Sequence, residues 1–355
     1  MRQRIRFFDI AKGIGIICVV LGHSAMEAVM TSPTALANAL MTFCFSFHMP
    51  LFFLLAGYFM HPERKFQWRK EARQLVYTYI LTALVVIVGA TLVAVCLRYN
   101  VWATLRSWIE AAWYGSGDIS DKTIWQVSGR IGAIWFLLAM FWARMFMHLF
   151  ARLPWTPVWV AASFIAGYFL SRYVWLPWSL QSGMCAVAFV YLGYLARECN
   201  VLEIVRKYPW IWAVAAAIWA ASMYWFTGFS MAMNQYGLRP SLAVAGSIAG
   251  TLCIVGISQW LDHVPYAGTA LSKAGVASLA ILCAHLVDED VLPWMSMLRR
   301  LQPYVGDVSL VFISFGIHMV IGLAGAWLLY YIPKINTWFY PVLAKKTAIA
   351  KEEKK

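Results

Sequence analysis

The first apolar stretch of the chain opens on an acid and a base and carries a histidine far inside it: Asp9, Lys12 and His23 in the run DIAKGIGIICVVLGH. An ionisable group at the centre of a bilayer costs about 3 kcal/mol or more, so such groups mark pathways or reaction centres. Asp9 and Lys12 lie three positions apart, and Lys12 and His23 about three helical turns apart, so all three share one helix face. At ~1.5 Å per residue, Lys12 and His23 are roughly 16 Å apart along the axis. They cannot touch and must act on different parts of one long ligand.

His23 titrates near neutrality and can act as a general base toward a hydroxyl. The alternative is a histidine bonded to a second helix to hold a bundle together. Glu27, one turn further on, either orients that ring or sits at the membrane interface. In FSFHMPLFFLLAGYF, Pro50 frees a backbone carbonyl, which a membrane tolerates only beside protein or water. His48 stands just before it, at about the depth of His23 if the two spans are antiparallel, and either lines one cavity with His23 or packs at a kink. His285, with Asp288, Glu289 and Asp290, forms a third polar insertion. His148, His263 and His318 read as structural or interfacial, and His61 as a loop residue. Arg69, Lys70 and Arg73 either fix topology or clamp a phosphate through charge-assisted hydrogen bonds.

The elements that must position these groups are apolar helices. Of 355 residues, 62% are hydrophobic and 13% charged, about half the charged share of a soluble domain. The expected fold is an all-α integral membrane bundle of about ten transmembrane helices. The apolar runs are 10–30, 39–60, 75–97, 131–150, 158–175, 183–197, 209–227, 242–260, 274–291 and 308–332. With the N-terminus inside, most of the 29 Lys and Arg fall on inner segments, which predicts that both termini are cytoplasmic. The formal charge of +13 then reads as topology signal and attraction to anionic lipid, with no need of nucleic acid. Residues 1–335 form one transmembrane domain, followed by a basic cytoplasmic tail at 336–355. The 61–74 loop is expected as an interfacial helix, and 102–113 as an amphipathic helix whose tryptophans stack on sugars or anchor in lipid.

Seven isolated cysteines without CxxC spacing argue against a disulfide framework or a zinc site, so no metal is expected. The N-terminal span lacks a cleavage-site pattern and reads as retained. No Walker loop, GxSxG elbow or HExxH helix is present, which removes the soluble hydrolase and nucleotidase chemistries. No inverted repeat of the kind found in secondary transporters is visible.

The runs DIAKGIGIICVVLGH and FSFHMPLFFLLAGYF, followed by IGAIWFLLAMFWAR at 131–144 and SLAILCAHL at 278–286, resemble acyltransferase family 3, in particular its fucose 4-O-acetylase-like branch. The resemblance implies a bacterial inner-membrane O-acyltransferase. Such an enzyme takes an acyl group, usually acetyl, from acyl-CoA at the cytoplasmic face and passes it to a hydroxyl of an extracytoplasmic glycan or lipid-linked sugar. The family's essential histidine falls on His23. Its basic residue falls on Lys12, where many members have arginine, and its basic pair falls on Arg69 and Arg73 with wider spacing than usual. On this reading Lys12, Arg69 and Arg73 bind the phosphates of acetyl-CoA, Asp9 holds Lys12, His48 lines the cavity, and His23 is the base or carries the acyl group. The competing classes are a proton-coupled transporter or flippase and a non-catalytic membrane subunit.

Overall fold

The structure is a computed structural model that describes residues 5–340. Arg2, Arg4 and the tail beyond Tyr340 lie outside the described residues. The chain is helical: α1 Arg6–Thr31, α2 Ala35–Phe45, α3 His48–Tyr58, α4 Trp68–Glu71, α5 Tyr77–Cys96, α6 Val101–Tyr114, α7 Trp135–Phe150, α8 Thr156–Leu170 and α9 Leu180–Glu198. There follow α10 Val201–Lys207, α11 Trp210–Tyr224, α12 Pro240–Leu261, α13 Pro265–Val276, α14 Ser278–Val291, α15 Trp294–Val305, α16 Asp307–Tyr331 and α17 Asn336–Phe339. Among the described residues there is no strand, only two isolated bridges.

The interruptions have local causes. Ser32 precedes a proline and is extended, which ends α1. Arg98, Asn200 and Gly306 stand at positive φ where α5, α9 and α15 stop. Pro240 and Pro265 occupy the first positions of α12 and α13, where a missing N–H costs nothing. The second apolar run breaks at Ser46–Phe47 rather than at Pro50, which sits in the first turn of α3. There its lack of a donor goes unnoticed.

All ten apolar runs are helical over most of their length, but fewer are single straight spans. Among the described residues, six helical segments are long and apolar enough to cross a membrane, and the number is eight if each of two bent pairs counts as one. The pairs are α9 with α10, bent by 62°, and α13 with α14, bent by 69°. Helices α8 and α11 have 15 residues each, about 22 Å, short of a ~30 Å hydrocarbon core. The 61–74 loop becomes helical only at Trp68, then passes through a π-turn at Ala72–Val76 into α5. The amphipathic helix expected at 102–113 is present as α6, with Trp102 and Trp113 exposed. At the C-terminal side Phe339 and Tyr340 are buried, so the chain stays packed beyond residue 336.

Two compact units divide the chain: residues 1–41, 68–105 and 261–355 in one, and 42–67 with 106–260 in the other. In the first unit α1 packs along α13 and against α14, α15 and α16, and α5 packs on α14. In the second, α3, α7 and α8 surround α9. Both central contacts depend on glycine. A Cβ at Gly275 of α13 would stand 1.8 Å from the Asp9 carbonyl oxygen, and one at Gly13 of α1 would stand 2.1 Å from that of Leu271. In the other unit, Cβ atoms at Gly57 and Gly193 would each lie 1.9 Å from a carbonyl oxygen of the facing helix. Small residues of this kind let helix backbones meet where no hydrophobic force drives association in lipid. The Arg6 guanidinium adds a clamp, donating to the Asp262 carbonyl at 3.2 Å and to the Thr269 hydroxyl at 3.0 Å.

Gly275→Ala and Gly193→Ala should each lower stability in detergent by about 1–3 kcal/mol, the usual cost of overpacking. Gly316→Ala has nothing within 4 Å of the added carbon and should be neutral or stabilising by up to ~1 kcal/mol. Thermal unfolding of the three variants, followed by size-exclusion fluorescence, checks the contrast.

Candidate active site

Three helices of the first unit bring ionisable groups together inside the protein. From α1 come His23 and Glu27, from α14 His285, Asp288 and Glu289, and from α16 Ser314 and His318. Within each helix the spacings are three or four residues, so each set projects from one face. The Asp288 and His285 side chains and both rings of the His285–His318 pair are buried.

His23 donates from Nδ1 to Oε2 of Glu289 at 2.7 Å. That bond fixes the tautomer, with the proton on Nδ1 and the basic lone pair on Nε2. A carboxylate behind an imidazole also stabilises the cation formed when the ring accepts a proton. His285 stands beside this pair, its ring 5.6 Å from that of His23 and edge-on to it, with Nε2 3.7 Å from Glu289 Oε2. Neither ring nitrogen of His285 has a hydrogen-bond partner among the described residues, and neither has Oδ1 of Asp288. His318 lies on the far side of His285, ring centroids 5.0 Å apart. Its Nδ1 bonds to Oδ2 of Asp288 and its Nε2 is 3.1 Å from Oε2 of Glu27. Ser314 donates to the same Glu27 oxygen at 3.1 Å. Trp294 closes the cluster, its ring 4.0 Å from that of His318 and its Nε1 donating to the Asp288 carbonyl at 3.2 Å.

The residues singled out in the sequence are therefore only partly brought together. Lys12 and His23 lie on one unbroken helix, so their separation of roughly 16 Å holds. Asp9 is about 21 Å from His23 along that axis, and its Oδ1 lies 4.0 Å from Lys12 Nζ. It therefore meets Lys12, not His23. His48 belongs to the second unit and donates from Nδ1 to the Cys44 carbonyl at 2.7 Å, at the break between α2 and α3. Arg69 and Arg73 are exposed on the segment leading into α5, with Glu71 buried between them.

Two residues take more central places than their sequence context suggested. Glu27 is buried and bonded to α16, and His318 joins the cluster. The signal for His318 was the one that marked His23, an ionisable side chain deep in an apolar run. Its weight was missed because its partners lie on other helices. The second unit holds a polar cavity of about 380 Å³, lined by Asp121, Lys122, Arg172, Thr227, Asn234 and Gln235.

A family model described as an acyltransferase domain, that of acyltransferase family 3, matches residues 5–331. No curated protein and no solved structure matches the chain. The matched segment takes in both compact units and every residue of the buried cluster, and with it a chain rich in membrane-length apolar helices is a multi-pass membrane protein. This protein belongs to acyltransferase family 3.

Proposed function

We propose that this membrane acyltransferase moves an acetyl group from cytoplasmic acetyl-CoA to a hydroxyl of an extracytoplasmic glycan or lipid-linked sugar. It would do so in a bacterial inner membrane, with ten spans and both termini in the cytoplasm. The observation that carries the reading is the contact of His23 with Glu289 of α14, 2.7 Å apart, His23 standing on the same helix as Lys12. A thioester on an extended pantetheine arm reaches a distance of the order of the roughly 16 Å that separates the two on α1. Lys12, steadied by Asp9, binds CoA phosphates at the inner rim, and the exposed Arg69 and Arg73 assist.

The chemistry follows from the tautomer. Nε2 of His23 takes the proton of the acceptor hydroxyl as its oxygen attacks the thioester carbonyl. The tetrahedral intermediate collapses, the C–S bond breaks, and the imidazolium returns its proton to the departing CoA sulfur. Glu289 holds the ring and stabilises the imidazolium between the two transfers. In the covalent variant Nε2 itself attacks the thioester carbonyl, the C–S bond breaks and CoA leaves as the thiolate; the acceptor hydroxyl then attacks the acyl-imidazolium, the N–C bond breaks as the acetyl passes to the oxygen, and the hydroxyl proton passes through the imidazole to the thiolate. The polar cavity of the second unit, lined by hydrogen-bonding side chains, suits a hydroxyl-rich acceptor. Proton relay in a transporter would use the same buried histidines but predicts substrate flux without acetyl-CoA consumption.

Membranes with matched amounts of each variant, given radiolabelled acetyl-CoA and crude glycan, test this reading. His23→Ala should lose about 10²- to 10⁴-fold in transfer rate, the range for removal of a placed base. A His23 variant of normal rate overturns the assignment. Lys12→Ala should raise KM for acetyl-CoA with kcat little changed, the pattern for lost uniform binding, and Lys12→Arg should restore it. If Lys12→Ala lowers kcat alone, Lys12 does not anchor the donor.

A further inference from the structure

Beside the His23–Glu289 pair lies a second constellation that acyl transfer does not use. We infer that His285, Asp288 and His318 form a binding site for one divalent transition-metal ion of the zinc class. One ligand atom from each of the three lies within 4.8 Å of the other two, and all three residues are buried. A tetrahedral zinc holds its ligand atoms about 3.4 Å apart, so small side-chain rotations complete the site. Two imidazoles and one carboxylate are a donor set that suits this class of ion.

Three further observations point to a ligand. The first is the want of partners: both ring nitrogens of His285, with no exposed surface, and Oδ1 of Asp288 make no hydrogen bond. A buried polar group left unmatched costs ~1–3 kcal/mol, and a metal ion removes that cost. The second is the orientation of His318. Its Nδ1 faces Asp288 while its Nε2 faces the Glu27 carboxylate, the arrangement in which a metal-binding histidine donates its other N–H to an outer carboxylate. The third is charge. Asp288 and Glu27 both contact one imidazole, which can offset at most one negative charge, whereas a divalent ion offsets both. Buried ions are tolerated when matched in this way.

The neighbouring set of His23, His285 and Glu289 also has the required types, but Glu289 there is only partly buried, whereas His285, Asp288 and His318 are all buried. The inference departs from the sequence expectation of no metal, which rested on cysteine spacing. Here the ligands come from two helices, Asp288 and His318 being 30 residues apart, and no cysteine takes part. An ion at this point ties α14 to α16 and thereby holds Glu289, the residue after Asp288, toward His23. It stands on ligand geometry and not on the acyl-transfer reading.

The test is the metal content of the full-length protein, purified in detergent through a tag without histidine and read by inductively coupled plasma mass spectrometry. Wild type should carry about one zinc-class ion per chain, the stoichiometry of a single three-ligand site, while Asp288→Asn and His318→Gln should lose it. Glu27→Gln should weaken retention by about 10- to 100-fold, as loss of an outer carboxylate does. His23→Ala should keep the ion, which separates this site from the base and its failure from failure of the acyl-transfer reading. Wild type that holds no first-row divalent ion, as isolated or after addition of zinc or manganese, overturns the inference. So does retention by both ligand variants, or loss in His23→Ala. If the ligand variants aggregate, chelator-stripped wild type given cobalt decides: visible d–d absorption saturating at one cobalt per chain supports the site, and its absence overturns it.

Discussion

Carboxylate–imidazole contacts between helices hold the first unit to one arrangement. Glu289 of α14 accepts from His23 of α1, and Glu27 of α1 meets His318 of α16, so one face of α1 is tied to both α14 and α16. In apolar surroundings a charged or polar group left without its partner costs more than any single apolar contact returns. A sliding or rotation of α1 would strand several such groups at once. The same contacts that build the proposed reaction centre therefore also select the packing around it.

Glycine packing complements these polar ties at the other end of α1. Gly13 and Gly275 face carbonyl groups of the opposing helix so closely that no side chain fits, which brings α13 against the turn of α1 that carries Asp9 and Lys12. Helix α13 then breaks from α14 by 69°. The bend lets one stretch of chain serve two places: its first half packs beside the cationic end of α1, and its second half delivers His285, Asp288 and Glu289 to the histidine end.

For the acyl transfer proposed above, the unbroken course of α1 matters because a helix is a rigid spacer. Donor phosphates and donor thioester are far apart in CoA, and a base that meets the thioester must stand at a set distance from the cation that meets the phosphates. Placing Lys12 and His23 on one helix sets that distance by backbone geometry alone, at ~1.5 Å per residue. The orientation of the base is set differently, by a hydrogen bond from another helix, so distance and orientation have separate structural origins.

That division also separates what could be read in the chain from what could not. The helical class, the amphipathic segment at α6, the shared face of Asp9, Lys12 and His23 and the spacing along α1 follow from local periodicity, because helix geometry relates residues only a few turns apart. The partners of His23 and Glu27 do not. Glu289 is 266 residues from His23, and His318 is 291 from Glu27, and no local pattern links such positions. Hence the sequence reads His318 as structural or interfacial and leaves Glu27 open between orienting the His23 ring and lying at the membrane interface. His48, set at about the depth of His23 by the sequence, donates to the Cys44 carbonyl at the end of α2. Which ionisable groups meet is decided by how helices pack, since only packing removes the water that would otherwise satisfy each of them separately.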